Sequence, residues 1–340
     1  MKGRPTGQFP HQYVDRSTGR VQTERLFADR LVHLLYHGVR ENAPALFRLL
    51  TTERMSEILA FINYDLPFGS GIGGQDAFLR SCGVDLDECV AGPAGLNTPR
   101  KVFERQIRFW ECRPMPDDPR VAVSPADARC LVGSLEETSD LRIKDKFFSF
   151  AELLGYDSPE WLHAFAGGDF AVFRLTPDKY HYNHAPVSGA VVDYYELDGA
   201  HHACNPGAVV AEATPYSKNR RVVTIIDSDV RGGTGVGLVA MVEVVALMIG
   251  DIVQCCSEEE YRDPVPLRQG MFLSRGQTKS LYRPGSSTDI LLFQKGRISF
   301  SEDLVRNRFR ADVSSRFSLG FGRPLVETDV QVRSLIASAR

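Results

Sequence analysis

The feature that most constrains the fold is a change of periodicity near residue 115. Ahead of it, apolar residues recur at helical spacing; beyond it the chain falls into short runs at 120–123, 170–175, 190–197, 221–226, 237–245 and 289–293 in which side chains alternate. A strand presents successive side chains to opposite faces, so such runs predict strands. The expectation is an α+β fold: an N-terminal leader and helical region, 1–115, packed on a β-rich and mainly antiparallel domain of barrel or sandwich type, 116–340. Met115-Pro116-Asp117-Asp118-Pro119 marks the join. One helix is expected within the β-rich part, over 149–154, capped by Ser149 and stopped by Gly155. The apolar run 236–253 is broken by Glu243 and Asp251 and reads as two core strands, because a membrane span needs about 20 predominantly apolar residues.

Residues 1–24 read as an irregular leader, followed by amphipathic helices over 24–37 and 45–62, a Gly-rich break at 67–74 and a shorter helix over 76–89. Packing against the rest of the protein explains these helices better than a membrane-surface role, since His33, His37 and several carboxylates dilute any basic face. The formal net charge of -3 gives no electrostatic reason to expect nucleic acid as a partner. Seven cysteines occur without a CxxC spacing, and Cys255 and Cys256 are adjacent, which strains a disulfide between them. A reducing, cytoplasmic location fits, and the N-terminus lacks the apolar core that secretion requires.

Three stretches carry chemistry-bearing side chains. Arg283-Pro284-Gly285-Ser286-Ser287-Thr288-Asp289-Ile290-Leu291-Leu292-Phe293 reads as a turn that feeds a buried strand, with both serines where the backbone bends. Upstream lie Tyr180-His181-Tyr182-Asn183-His184-Ala185-Pro186 and Ser124-Pro125-Ala126-Asp127. Taken alone, His181 and His184 also suit a zinc pair completed from His201, His202 and Cys204, or two structural histidines, and Asp127 suits a turn after Pro125. Gly232-Gly233-Thr234-Gly235-Val236-Gly237 imitates a phosphate loop. It lacks a following Lys-Ser/Thr, and Leu238 stands where a dinucleotide fingerprint has its third glycine, so a hairpin loop is expected.

With these motifs the chain resembles the phosphatidylserine decarboxylases, enzymes that cut themselves at a serine to make a pyruvoyl cofactor. Ser124-Pro125-Ala126-Asp127, Tyr180-His181 with His184 and Pro186, and Ser287-Thr288 with Leu291-Leu292-Phe293 carry the resemblance most specifically. Weaker matches are the opening Tyr13-Val14-Asp15-Arg16-Ser17-Thr18-Gly19, Val102-Phe103-Glu104-Arg105, Arg113-Pro114, the segment from Lys144 to Gly155, and Asn205-Pro206 followed by Asn219-Arg220-Arg221. The resemblance implies that the Ser287 hydroxyl attacks the carbonyl of Ser286, that His184 takes its proton, and that Asp127 orients the base. The ester then eliminates, and the resulting dehydroalanine hydrolyses to a pyruvoyl group at Ser287. It places His181 in the decarboxylation site as proton donor. No metal is implied. The ketone of such a group condenses with a substrate amine and withdraws electrons from the bond to the carboxylate.

Several positions depart from the family pattern. Ser286 stands where a glycine usually contributes the attacked carbonyl, which admits an alternative cut between Gly285 and Ser286. Ser280-Leu281-Tyr282-Arg283-Pro284 replaces the family's Gly-Tyr-Phe-Lys-Phe, and Ala246 replaces the glycine of its Val-Gly-Ala element. These changes leave three readings: decarboxylation of phosphatidylserine to phosphatidylethanolamine with peripheral membrane contact, decarboxylation of a soluble amino acid by the same chemistry, or a non-cleaving homologue that serves as a binding subunit. The enzymatic readings imply cleaved α and β chains that stay associated, and they leave room for a homodimer.

Overall fold

The computed structural model describes residues 9–26, 79–80, 82–136, 147–200, 202, 205–211, 214–246, 251–284 and 287–340. The helices expected at 24–37 and 45–62 fall almost wholly outside them, as do Gly285, Ser286, His201 and Cys204. Sixteen strands are described. They are β1 (Gln12–Asp15), β2 (Val21–Thr23), β3 (Val121–Val123), β4 (Ala128–Ser134), β5 (Asp169–Leu175), β6 (Tyr182–His184), β7 (Gly189–Leu197) and β8 (Arg221–Asp227). There follow β9 (Leu238–Val244), β10 (Ile252–Ser257), β11 (Phe272–Leu273), β12 (Thr278–Tyr282), β13 (Ser287–Phe293), β14 (Ile298–Phe300), β15 (Thr328–Val330) and β16 (Leu335–Ala339). The helices are short: α1 (Pro99–Phe103), α2 (Phe109–Cys112), α3 (Phe150–Leu154), α4 (Pro159–Phe165), α5 (Pro206–Ala211), α6 (Pro215–Lys218), α7 (Glu302–Arg308) and α8 (Arg316–Phe321).

The α+β class and the mainly antiparallel pairing hold. A ten-stranded sheet runs β11-β7-β8-β9-β13-β5-β4-β15-β1-β2, and two three-stranded sheets, β10-β12-β6 and β14-β16-β3, lie beside it. The layers stack as a sandwich, and no closed barrel forms among the described residues. Alternation along the central strands explains the stacking. On β13, Leu291 and Phe293 join a core that includes Ala122, Ile252, Tyr282, Ile298 and Ile336 of the small sheets or their margins. Ile290 and Leu292 join a second core with Leu153, Leu154, Phe165, Val209 and Phe317 of the helices. The large sheet is therefore covered on both faces, by helices on one and small sheets on the other. Removing its apolar area from water on both sides supplies the main driving force.

The expected helix over 149–154 is α3. Ser149 accepts a hydrogen bond from the Glu152 N–H, and Gly155 ends the helix at φ +86°. The Gly-rich run forms the loop between antiparallel β8 and β9. The 236–253 run supplies β9 and the start of β10. Two expectations are corrected. Residues 12–23 are no leader: they form the β1–β2 hairpin, with Val14 wholly buried and β1 paired in parallel with β15. Its polar character is turn chemistry, for Asp15 accepts from the Ser17 and Thr18 N–H groups and Gly19 sits at φ +68°. The described part of 76–89 is helical only at 79–80 and then turns, with Gly83 at φ +59°, a conformation that stops a helix.

Candidate active site

Ser287 is the first residue of β13, in the strand and not on the preceding bend. It pairs with Leu175 of β5, and from Thr288 onward β13 also pairs with β9. The period of two puts Ser287 and Asp289 on the face that carries Leu291 and Phe293, toward the small sheets. The Ser287 side chain is fully buried, and its Oγ has no hydrogen-bond partner among the described residues. An unsatisfied buried hydroxyl costs about 1–3 kcal/mol, so its retention asks for a chemical reason.

His184 lies on β6, which is held against the Pro125 carbonyl by the His184 N–H at 2.8 Å. Its Nδ1 meets the Gly276 carbonyl at 2.8 Å and its Nε2 meets the Tyr180 hydroxyl at 3.0 Å. A carbonyl only accepts, so Nδ1 carries the proton and Nε2 offers a lone pair. Gly276 presents that carbonyl from a turn at φ +79°, which a side chain would strain. Burial, reinforced by the Arg333 charge, lowers the His184 pKa to about 4. His181 follows the same logic. Its Nδ1 donates to the Lys179 carbonyl at 2.7 Å, its ring lies 3.5 Å from that of Phe103, and its Nε2 has no partner among the described residues. Burial and the nearby Arg105 lower its pKa to about 3. At rest both imidazoles are neutral acceptors.

Asp127 does not touch His184 through a hydrogen bond. Its carboxylate is gripped by Arg113 through Nε and Nη2, the latter at 2.8 Å, and accepts the Val332 N–H at 2.8 Å. Burial opposes its charge, but Arg113 holds the carboxyl below the usual range. Asp127 therefore enters the site as a fixed negative charge, two residues from the carbonyl that anchors His184.

Sequence reasoning missed a buried polar cluster between β13 and the sheet β10-β12-β6. Glu243 of β9 accepts from Lys279 Nζ at 2.6 Å, Gln254 Nε2 at 2.9 Å, Asn183 Nδ2 at 3.2 Å and the Ser280 hydroxyl. Burial opposes that charge, while Lys279 and these bonds bring the Glu243 pKa below its ordinary value. Directly opposite Glu243 in register stands Asp289, whose Oδ1 accepts the Tyr282 hydroxyl at 2.7 Å. Burial and the Glu243 charge push its pKa well above the carboxylate range. Glu243 was visible in the sequence as the charge that interrupts a run of valines. Lys279 carries no comparable signal.

Among the described residues the group with ligand-like spacing is His11, Glu24 and Glu327, elsewhere in the fold. Arg174 already binds both of its carboxylates, at 2.6 Å and 2.7 Å.

A family model described as phosphatidylserine decarboxylase matches residues 100–318, which span Asp127, both histidines and Ser287. The chain belongs to the phosphatidylserine decarboxylase family. Among its relatives, phosphatidylserine decarboxylase proenzyme 3 of Schizosaccharomyces pombe is 30% identical over 86% of this chain and 29% of its own length. Proenzyme 2 of Saccharomyces cerevisiae is 26% identical over 86% of this chain and 24% of its own length. The chain thus spans less than a third of these two fungal relatives. The phosphatidylserine decarboxylase proenzyme of Chlamydia trachomatis serovar L2 is 29% identical over 86% of this chain and 90% of its own. A pyruvoyl group derived from Ser287 fits the residues present, since the precursor hydroxyl is buried and unsatisfied at the head of a central strand.

Proposed function

We propose that this chain is a self-cleaving, pyruvoyl-dependent decarboxylase that converts phosphatidylserine to phosphatidylethanolamine and carbon dioxide, cut between Ser286 and Ser287. The observation that carries the reading is the buried, unpartnered Ser287 Oγ at the start of β13, inside the family-matched span. In self-cleavage Oγ bonds to the Ser286 carbonyl carbon, the bond from that carbon to the Ser287 nitrogen breaks, and His184 receives the hydroxyl proton on Nε2, where Tyr180 donates at rest. Asp127 favours the imidazolium so formed by its charge, and Arg113 and the Val332 N–H keep it in place. When formed, the pyruvoyl ketone supplies an electron sink for loss of carbon dioxide. His181 offers a lone pair there and gives a proton only after taking one.

In this reading residues 116–340 are the catalytic part, and contact with a membrane is peripheral; no helix among the described residues is long and apolar enough to cross one. A soluble amino acid as substrate is the second reading. The polar lining that the Glu243–Lys279 ion pair and the Asp289 carboxyl give the Ser287 face of the sheet favours it. Intact mass under denaturing conditions tests the cut: a C-terminal fragment of roughly 6 kDa is expected by proportion of length, lighter than a serine-started fragment, and absent from Ser287→Ala. A normally cut Ser287→Ala chain would refute the register. Carbon dioxide release from phosphatidylserine vesicles against a panel of free amino acids then separates the two substrates.

A further inference from the structure

Two carboxyl side chains that stand opposite each other on adjacent strands bring their Cβ atoms to about 5 Å, too close for both to ionise in a dry layer. Glu243 and Asp289 are such a pair, and both are fully buried. The donors decide which one is charged. Glu243 collects four, the Lys279 ammonium among them, whereas Asp289 receives the Tyr282 hydroxyl on Oδ1 and has no partner on Oδ2 among the described residues. Glu243 is the carboxylate and Asp289 the neutral acid. Environments that separate a carboxyl pair in this way assign acid and base roles.

The acid is well placed. Asp289 is two residues from Ser287 on the same face of β13, about 6.6 Å along the strand, close to the reach of a carboxyl side chain plus one hydrogen bond. The Ser287 nitrogen must be protonated as it leaves the Ser286 carbonyl; His184 can hand on only the proton it has just taken from Oγ, whereas a neutral Asp289 already holds one at rest. We propose that Asp289 is a further catalytic residue of maturation and gives that proton to the departing nitrogen. The step balances. Oγ bonds to carbon and surrenders its proton to His184, the carbon–nitrogen bond breaks, and the nitrogen takes the Asp289 proton and ends as an amine beside an ester. Asp289 is left as a carboxylate, and that base then accepts the α-proton of residue 287 as the ester carboxylate departs. The inference rests on Ser287 as the cleavage residue.

The titratable groups facing Asp289 are Glu243 from β9 and Lys279 and Tyr282 from β12; on β5 its opposite residue is Phe173. An acid that must be protonated gives a cleavage rate that falls as pH rises through its pKa. The test uses full-length chains made in a cell-free system, shifted to a series of pH values and followed by denaturing mass spectrometry. Asp289→Asn keeps the shape and the bond from Tyr282 and should slow cleavage about a hundredfold, with loss of the alkaline limb. Tyr282→Phe removes a hydrogen bond that favours the ionised form, so it should fold, cleave and move the alkaline limb to higher pH. A merely structural role would leave that limb in place. Asp289→Asn that cleaves at the parent rate with the parent profile, or Tyr282→Phe that leaves the limb unmoved, overturns the assignment of Asp289 while cutting at Ser287 stands. A parent chain that stays whole at every pH overturns both.

Discussion

His181 and His184 are buried in a layer where neither finds a carboxylate to bond, and this makes them sensitive to acid. In the unfolded chain each takes a proton near pH 6.5; folded, they resist until about 3 and about 4. As pH falls below 6.5 the unfolded state therefore binds more protons, and stability declines by about 1.4 kcal/mol per unit for each histidine until the folded pKa is passed. Above pH 6.5 the contribution is flat. Urea unfolding at pH 7 and pH 5 should show His181→Gln losing about 2 kcal/mol less than the parent over that interval. Equal losses would mean that the ring is solvated in the folded protein. The motif marked both histidines as special, but their tautomers were not legible in it. Those are set by the Lys179 and Gly276 carbonyls, which tertiary packing brings to the rings.

The hairpin β1–β2 shows the same limit one level up. Alternation located β5, β7, β8 and β9 to within a residue at each end, because each has one run of side chains per face and a turn at either side. It failed for β4, where nearly every residue is buried on both faces, and for β12, whose Lys279 and Ser280 are polar because they meet Glu243 of β9. Arg174 of β5 is another buried charge of this kind, its partners lying beside β1, β2 and β15. Its guanidinium binds Glu24 through Nη1 at 2.9 Å and Glu327 through Nε at 3.0 Å, and Glu327 also takes His11 Nε2 at 2.7 Å. Arg174→Met should leave two buried carboxylates without their cation and cost about 3–5 kcal/mol in chemical denaturation. A loss within 1 kcal/mol would show that water reaches the pair. Likewise the Asp127 motif was readable, and its grip by Arg113 was not, because that pairing depends on where the end of α2 packs.

At the scale of the whole molecule, the residues from Ser287 onward do not form a separable piece. They supply β13 to the middle of the ten-stranded sheet, β15 between β4 and β1, and both β14 and β16 to the sheet in which β16 pairs with β3. After a cut before Ser287 the two chains should co-elute on native gel filtration and part only in denaturant, and a C-terminal piece that elutes alone would contradict the proposed site. The register of β13 has one more outcome. In the whole chain the partners of this strand are tethered and folding is a first-order event, independent of concentration. Once cut, the same structure must be regained by an encounter between two molecules, one of them a short peptide rich in buried strands and prone to join its own kind. Refolding of cut protein should slow on dilution, where the uncut Ser287→Ala chain should not. The cut protein would then persist through the height of its unfolding barrier, as a structure assembled once and not readily rebuilt.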